Sequence, residues 1–179
     1  MKYFISDPHS NHDAEFIVKE RGFDNVEKYN EALIDGINYL TRNPEDELYI
    51  LGDVGKKPLE FLGKLVCGEI HVIRGNHDNG LYSGRMKSKN IELHNEIFET
   101  NIGTVPVVLC HYPMVSWNRS HWGSWLLYGH VHHKELPIKG KMLDVAPTAE
   151  HMFPYSEKEI EEIMKTLPNN WDLIKDAFS

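Results

Sequence analysis

The stretch IHVIRGNHDNG, residues 70–80, decides how the chain is read. Its first half has the short, β-branched, apolar composition of a strand. Gly75 then frees the backbone, and Asn76, His77 and Asp78 follow, three consecutive side chains able to bind metal or move protons. By itself this could be a loop, since Asn79-Gly80 is a strong turn signal. Its weight comes from repetition. KYFIS (2–6) runs into Asp7-Pro8-His9, LYILG (48–52) into Asp53, VPVVLC (105–110) into His111, and SWLLYG (124–129) into His130-Val131-His132. In open α/β sheets, ligands gather at the carboxyl ends of the strands, and a glycine before the ligand lets the backbone turn sharply. Singly, each residue is an ordinary turn former. Together they point to one site.

The segments between these runs set the fold class. NVEKYNEALIDGINYL (25–40) places Val26, Tyr29, Leu33, Ile37 and Leu40 on one helical stripe, with Asp24 as the expected cap and Glu27 completing a box. KPLEFLGKLVCG (57–68) reads as a second helix closed by Gly68, and KMLDVA (141–146) as a further strand. Ser156 and Glu159 form a capping box before Ile160, Ile163, Met164 and Leu167. This order predicts an α/β protein, with parallel crossovers in its first half and more antiparallel pairing in its second.

With 179 residues, 41% of them hydrophobic, and no repeat or linker, residues 1–179 are expected to form a single domain. Twenty-seven acidic against 19 basic residues give a net charge of −8, which argues against strong nucleic-acid or membrane-surface binding. Cys67 and Cys110 lie far apart and read as reduced core thiols. The apolar start ends at Asp7, too early for a secretory signal, and no apolar run approaches the ~18 residues of a membrane span. A cytoplasmic location is expected.

Eleven histidines are many for this length. Asp7, His9, Asp53, Asn76, His111, His130 and His132 make an oxygen/nitrogen donor set without thiolate, suited to manganese first, with iron, nickel or zinc as substitutes. Seven donors exceed one tetrahedral ion and suit two divalent ions sharing a carboxylate, set roughly 3.5–4 Å apart for displacement at phosphorus. His71, His94 and His151 lie away from these motifs and read as structural or exposed. Arg119, surrounded by Trp117, Trp122 and Trp125, is a candidate clamp for a phosphate oxygen, the tryptophans being either core or a pocket wall. Arg74 is expected to pair with a carboxylate.

Asp7-x-His9, Gly52-Asp53, Gly75-Asn76-His77-Asp78, His111 and Gly129-His130-x-His132 resemble, in order, the five signature blocks of the calcineurin-like metallophosphoesterase superfamily. SDPHSNH, NEALI, CHYPMVSWNRSHWGSW and LDVA extend the similarity to its small, cap-less bacterial and phage phosphoesterases, many of which read Phe-Gly at Ser10-Asn11. The resemblance implies a four-layer α/β/β/α sandwich of two mixed sheets. It also implies that Asp7, His9, Asp53 and His132 hold one ion, and that Asp53 bridges to a second ion held by Asn76, His111 and His130. A metal-bridging hydroxide would attack a small phosphate ester, a diester in preference to a monoester. His77 would be the acid, with Asp78 its orienting partner, and Asn76, Arg119 and His12 would face the substrate. The rival readings are a non-catalytic, metal-stabilised interaction module and a nuclease acting on single strands or ends.

Overall fold

The computed structural model describes residues 1–83 and 90–170. The elements, in order, are β1 (Lys2–Ile5), α1 (Glu15–Glu20), α2 (Val26–Leu40), β2 (Glu47–Leu51), α3 (Pro58–Leu62), β3 (Glu69–Ile73), α4 (Asn79–Tyr82), β4 (Ile91–His94), β5 (Ile97–Ile102), β6 (Val105–Cys110), a 3-10 turn (Ser120–Trp122), β7 (Trp125–Tyr128), β8 (Met142–Asp144), β9 (Tyr155–Ser156) and α5 (Glu157–Thr166). They build two mixed sheets, β4-β3-β2-β1-β9 and β5-β6-β7-β8. In the first, β1 to β4 are parallel and β9 runs antiparallel beside β1.

Strands β1, β2, β6 and β7 read as largely apolar runs because both of their faces are covered. Ile5, Leu48, Ile50, Ile70 and Val72 pack against Tyr29, Leu33 and Ile37 of α2 and Phe61 and Leu62 of α3. On the other face, Phe4, Tyr49, Leu51 and Ile73 meet Val107, Leu109, Trp125, Leu127 and Val145 of the second sheet, with Ile160 and Met164 of α5 beside them. Alternation carries Val108, Cys110, Leu126 and Tyr128 to the outer face of that sheet, where Trp117, Met114, Leu136 and Ile138 from loops cover them. Cys67 and Cys110 are buried free thiols, and burial raises the pKa of each. Among the described residues no helix is long and apolar enough to cross a membrane.

Three local expectations change. Asn25, not Asp24, caps α2 by accepting from the Lys28 amide (2.9 Å), while Asp24 pairs with the Lys28 ammonium at 2.9 Å. The helix expected over 57–68 is shorter, because Gly63 caps it with its amide on the Leu59 carbonyl (3.0 Å). The second sheet is antiparallel only between β5 and β6; β6, β7 and β8 are parallel. The long connection from Cys110 to Trp125 provides the crossover that parallel pairing requires. That direction matters, since it puts the carboxyl ends of β6 and β7, and so His111 and His130, at one end of the sheet.

Leu33 is fully buried under the first sheet, so Leu33→Ala is expected to cost about 2–5 kcal/mol in urea unfolding. Tyr39→Ala on the exposed face of the same helix should stay within about 0.5 kcal/mol.

Candidate metal centre

Pairing between the first two strands continues beyond their ends. The Asp7 amide donates to the Gly52 carbonyl (3.1 Å), His9 to Asp53 (3.0 Å) and Ser10 to Val54 (2.9 Å), so the two ligand-bearing loops are zipped together. Within this ladder the backbone turns hard. Asp7, His9 and Asp53 have φ of 49°, 44° and 51°, and His130 and His132 have 70° and 49°. Left-handed backbone at non-glycine residues costs on the order of 1–3 kcal/mol each, and it clusters where side chains must be aimed. Gly129 has no side chain for a plain reason: a Cβ there would run into the Asp7 carboxylate and the Ser6 hydroxyl.

The donor atoms converge. Asp7 Oδ1 lies 3.4 Å from His9 Nε2 and 3.6 Å from His132 Nε2. Asp53 Oδ2 lies between two histidines, 3.9 Å from His9 Nε2 and 3.6 Å from His111 Nε2. Asn76 Oδ1 sits 2.9 Å from His111 Nε2. His130 gives its amide to Asp7 Oδ2 (2.8 Å) and sets its ring edge-on to His111, with centroids 5.1 Å apart. All seven sequence-predicted ligands therefore border one centre. Within it, Asp7–His9–His132 and Asp7–Asp53–His111 each gather tightly enough to hold a cation.

Whether a cation fits can be tested on the polar atoms themselves. Among the described residues Asp7 Oδ1 and His9 Nε2 are buried without a hydrogen-bond partner, a costly state for a carboxylate oxygen and a ring nitrogen. His111 adds a conflict. With its Nδ1–H donated to the Leu51 carbonyl at 2.9 Å, its Nε2 lone pair faces another acceptor, the Asn76 oxygen. Cations satisfy both arrangements, and fixing a ligand histidine through its other nitrogen is how such sites are built. Burial pushes the Asp7 pKa up, but His9, His111 and the His130 amide outweigh it and hold the carboxyl at about 2. Burial lowers the His132 pKa, favouring the neutral ring a metal requires.

Four buried side chains hold this strained backbone, and three of them, Arg21, Tyr29 and Asp144, are not singled out as site residues from the sequence. Asp78 is not the orienting partner of His77. Its Oδ2 accepts from the amides of Asp53 and Gly75 (2.8 Å each) and its Oδ1 from Val54 (3.0 Å), which ties the two loops together and uses its acceptors on backbone. Arg21, 4% exposed, donates to the carbonyls of Asp7 (2.8 Å) and Pro8 (3.2 Å), while the Tyr29 hydroxyl bonds both Arg21 and Pro8. The tyrosine in an otherwise aliphatic helix stripe was the available signal, because a buried hydroxyl needs a partner. Asp144 accepts from the amides of His133 (2.8 Å) and Ala146 (2.9 Å) and so steadies the turn after His132.

The outer residues divide. The His77 ring is 69% exposed at the rim, its Nε2 3.9 Å from Asp53 Oδ2, and its amide donates to Asp53 Oδ1 at 2.9 Å. The His12 ring lies edge-on to His9 at 5.6 Å, and burial lowers its pKa. Arg119 is not brought to the centre. It is exposed, with φ 60°; its carbonyl accepts from the amides of Trp122 (2.8 Å) and Ser124 (3.2 Å), and its guanidinium makes no hydrogen bond or ion pair among the described residues. Its neighbour Asn118 is tied instead to Glu99 of β5 at 3.0 Å. The tryptophans around it do not wall a pocket: Trp117 and Trp125 are core, and Trp122 is 75% exposed. Arg74 pairs with Glu96 at 3.4 Å, as expected.

Residues 3–152 match the family described as a calcineurin-like phosphoesterase superfamily domain. Over 140 residues the chain is 36% identical to the uncharacterized protein MJ1445 of Methanocaldococcus jannaschii, covering 75% of this chain and 70% of that one. Its fold is similar to that of AQ665, a protein of unknown function from Aquifex aeolicus, with a TM-score of 0.68 at 21% identity over 91% of this chain and 98% of that one. The phosphoesterase YfcE of E. coli gives a TM-score of 0.49 at 18% identity, covering 83% and 79%.

Asp78→Asn turns an amide group toward backbone donors that need an acceptor. It should weaken Mn²⁺ binding about 10–100-fold in equilibrium dialysis, whereas His77→Ala should leave binding near that of the unaltered chain.

Proposed function

The chain belongs to the calcineurin-like phosphoesterase superfamily, and from that premise we propose that it hydrolyses phosphodiesters with two divalent ions, manganese first. Asp7, His9, Asp53 and His132 would hold one ion, and Asp53, Asn76, His111 and His130 the other. The observation that carries this reading is the pair of buried atoms Asp7 Oδ1 and His9 Nε2, without a hydrogen-bond partner among the described residues, with Asp53 Oδ2 placed between His9 and His111. When bound, such ions supply Lewis-acid stabilisation of phosphoryl charge and lower the pKa of water toward ~7.

The protein's own groups do the rest. His77, exposed beside Asp53 with its amide pinned by that carboxylate, delivers a proton to the departing alkoxide. Next to it, a cavity of about 420 Å³ lined by Gly55, Lys57, Leu59, His77 and Leu81 offers room for the leaving group. The Ala14 amide donates to His12 Nδ1 (3.3 Å), which leaves Nε2–H as a neutral donor toward a phosphoryl oxygen. Asn76, His77 and His130 are exposed, so the rim accommodates the second alcohol of a diester.

Hydrolysis of bis(p-nitrophenyl) phosphate with added Mn²⁺ tests the proposal, with p-nitrophenyl phosphate as the monoester comparison. Asp53→Ala and Asn76→Ala should abolish or nearly abolish turnover. His77→Ala should lower kcat by about 10²–10⁴ with metal content retained. Absence of metal-dependent turnover on either ester would overturn it, and turnover unchanged in His77→Ala would remove that residue from the chemistry.

A further inference from the structure

The two histidines at 71 and 94, which the motifs did not use, lie together on the face of the first sheet that meets the second. The register of β3 and β4 pairs His71 with Glu92 and Ile73 with His94. His71 is 7% exposed and stacks on Tyr49 at 4.6 Å, and the His94 ring lies 3.9 Å from that of Phe98 on β5. Packing therefore fixes both rings before any ligand arrives.

Three atoms form a small triangle. His71 Nδ1 is 3.0 Å from His94 Nε2 and 3.7 Å from Glu92 Oε2, and His94 Nε2 is 3.9 Å from that same oxygen. Bonds of 2.0–2.1 Å at tetrahedral angles place zinc ligands roughly 3.3 Å apart, within this range. The other nitrogen of His71 faces a carboxylate, with Glu69 Oε2 3.9 Å from Nε2, the outer support that ligand histidines use. A hydrogen bond between two neutral imidazoles would need no carboxylates around it. Here Glu69 and Glu92 both approach, and among the described residues neither has a lysine or arginine partner.

We propose that His71, Glu92 and His94 form a separate single-ion site for a borderline divalent cation of the zinc type, with its fourth position open to water. His71 precedes Gly75 by four residues, about 13 Å along an extended strand, so the site is removed from the centre at the strand ends. A cation there ties the edge strand β4 to β3 where the two sheets meet.

Equilibrium dialysis against Zn²⁺, followed by elemental analysis, tests this independently of the phosphoesterase reading. The unaltered chain should retain one more zinc per molecule than His94→Ala or Glu92→Gln. Asp53→Ala should keep that ion even where the other centre is lost. Glu92→Gln alters a mostly exposed side chain and guards against misfolding, and both edge variants should keep the diesterase activity of the unaltered chain. With Co²⁺ in place of zinc, Asp53→Ala should show visible bands of a tetrahedral ion that vanish when His94→Ala is added. Equal zinc content in the unaltered chain and both edge variants would overturn the site.

Discussion

The structure depends on one constraint: buried donor atoms must point at the same small volume without a hydrogen-bond partner among the described residues. Asp7 Oδ1 and His9 Nε2 are held in that condition, and the Asn76 oxygen faces the Nε2 of His111. Such an arrangement is unfavourable unless cations sit among the donors. It also dictates the backbone. Aiming side chains inward from strand ends forces Asp7, His9, Asp53, His130 and His132 into left-handed conformations that most side chains avoid.

Strain of that kind persists only when its surroundings over-determine it. The zipped β1 and β2 loops, the Asp78 carboxylate, the Arg21–Tyr29 clamp and the Asp144 carboxylate are the surroundings that do so. Arg21 is a buried cation satisfied by carbonyls, so its charge is spent on the loop that carries Asp7 and His9. Stability and the convergence of the donors are coupled through these groups, because what keeps the loops folded is also what keeps the donors converged.

Strand direction is the second determinant. With β6, β7 and β8 parallel, His111 and His130 leave their strands at the same end, toward the loops of the first sheet. Had that half been antiparallel throughout, the two histidines would have exited at opposite ends, with no shared centre. The face between the sheets then accommodates the remaining polar surprise, the His71–Glu92–His94 cluster at its open edge.

The sequence by itself determined which strand-end donors the structure brings together, the helix stripe through Tyr29, Leu33 and Ile37, and the Ser156–Glu159 capping box that forms as expected. All of these are local: residue type and spacing along a single element decide them. Only the tertiary structure decided that Asp78 holds backbone in place of the His77 ring, that Arg119 stands apart with Trp117 and Trp125 in the core, and that Arg21 reaches the site. It also decided the parallel order of the second sheet and the meeting of His71 with Glu92 and His94. Those outcomes rest on contacts between residues far apart in the chain, fixed by strand register and crossover direction, which no single segment encodes.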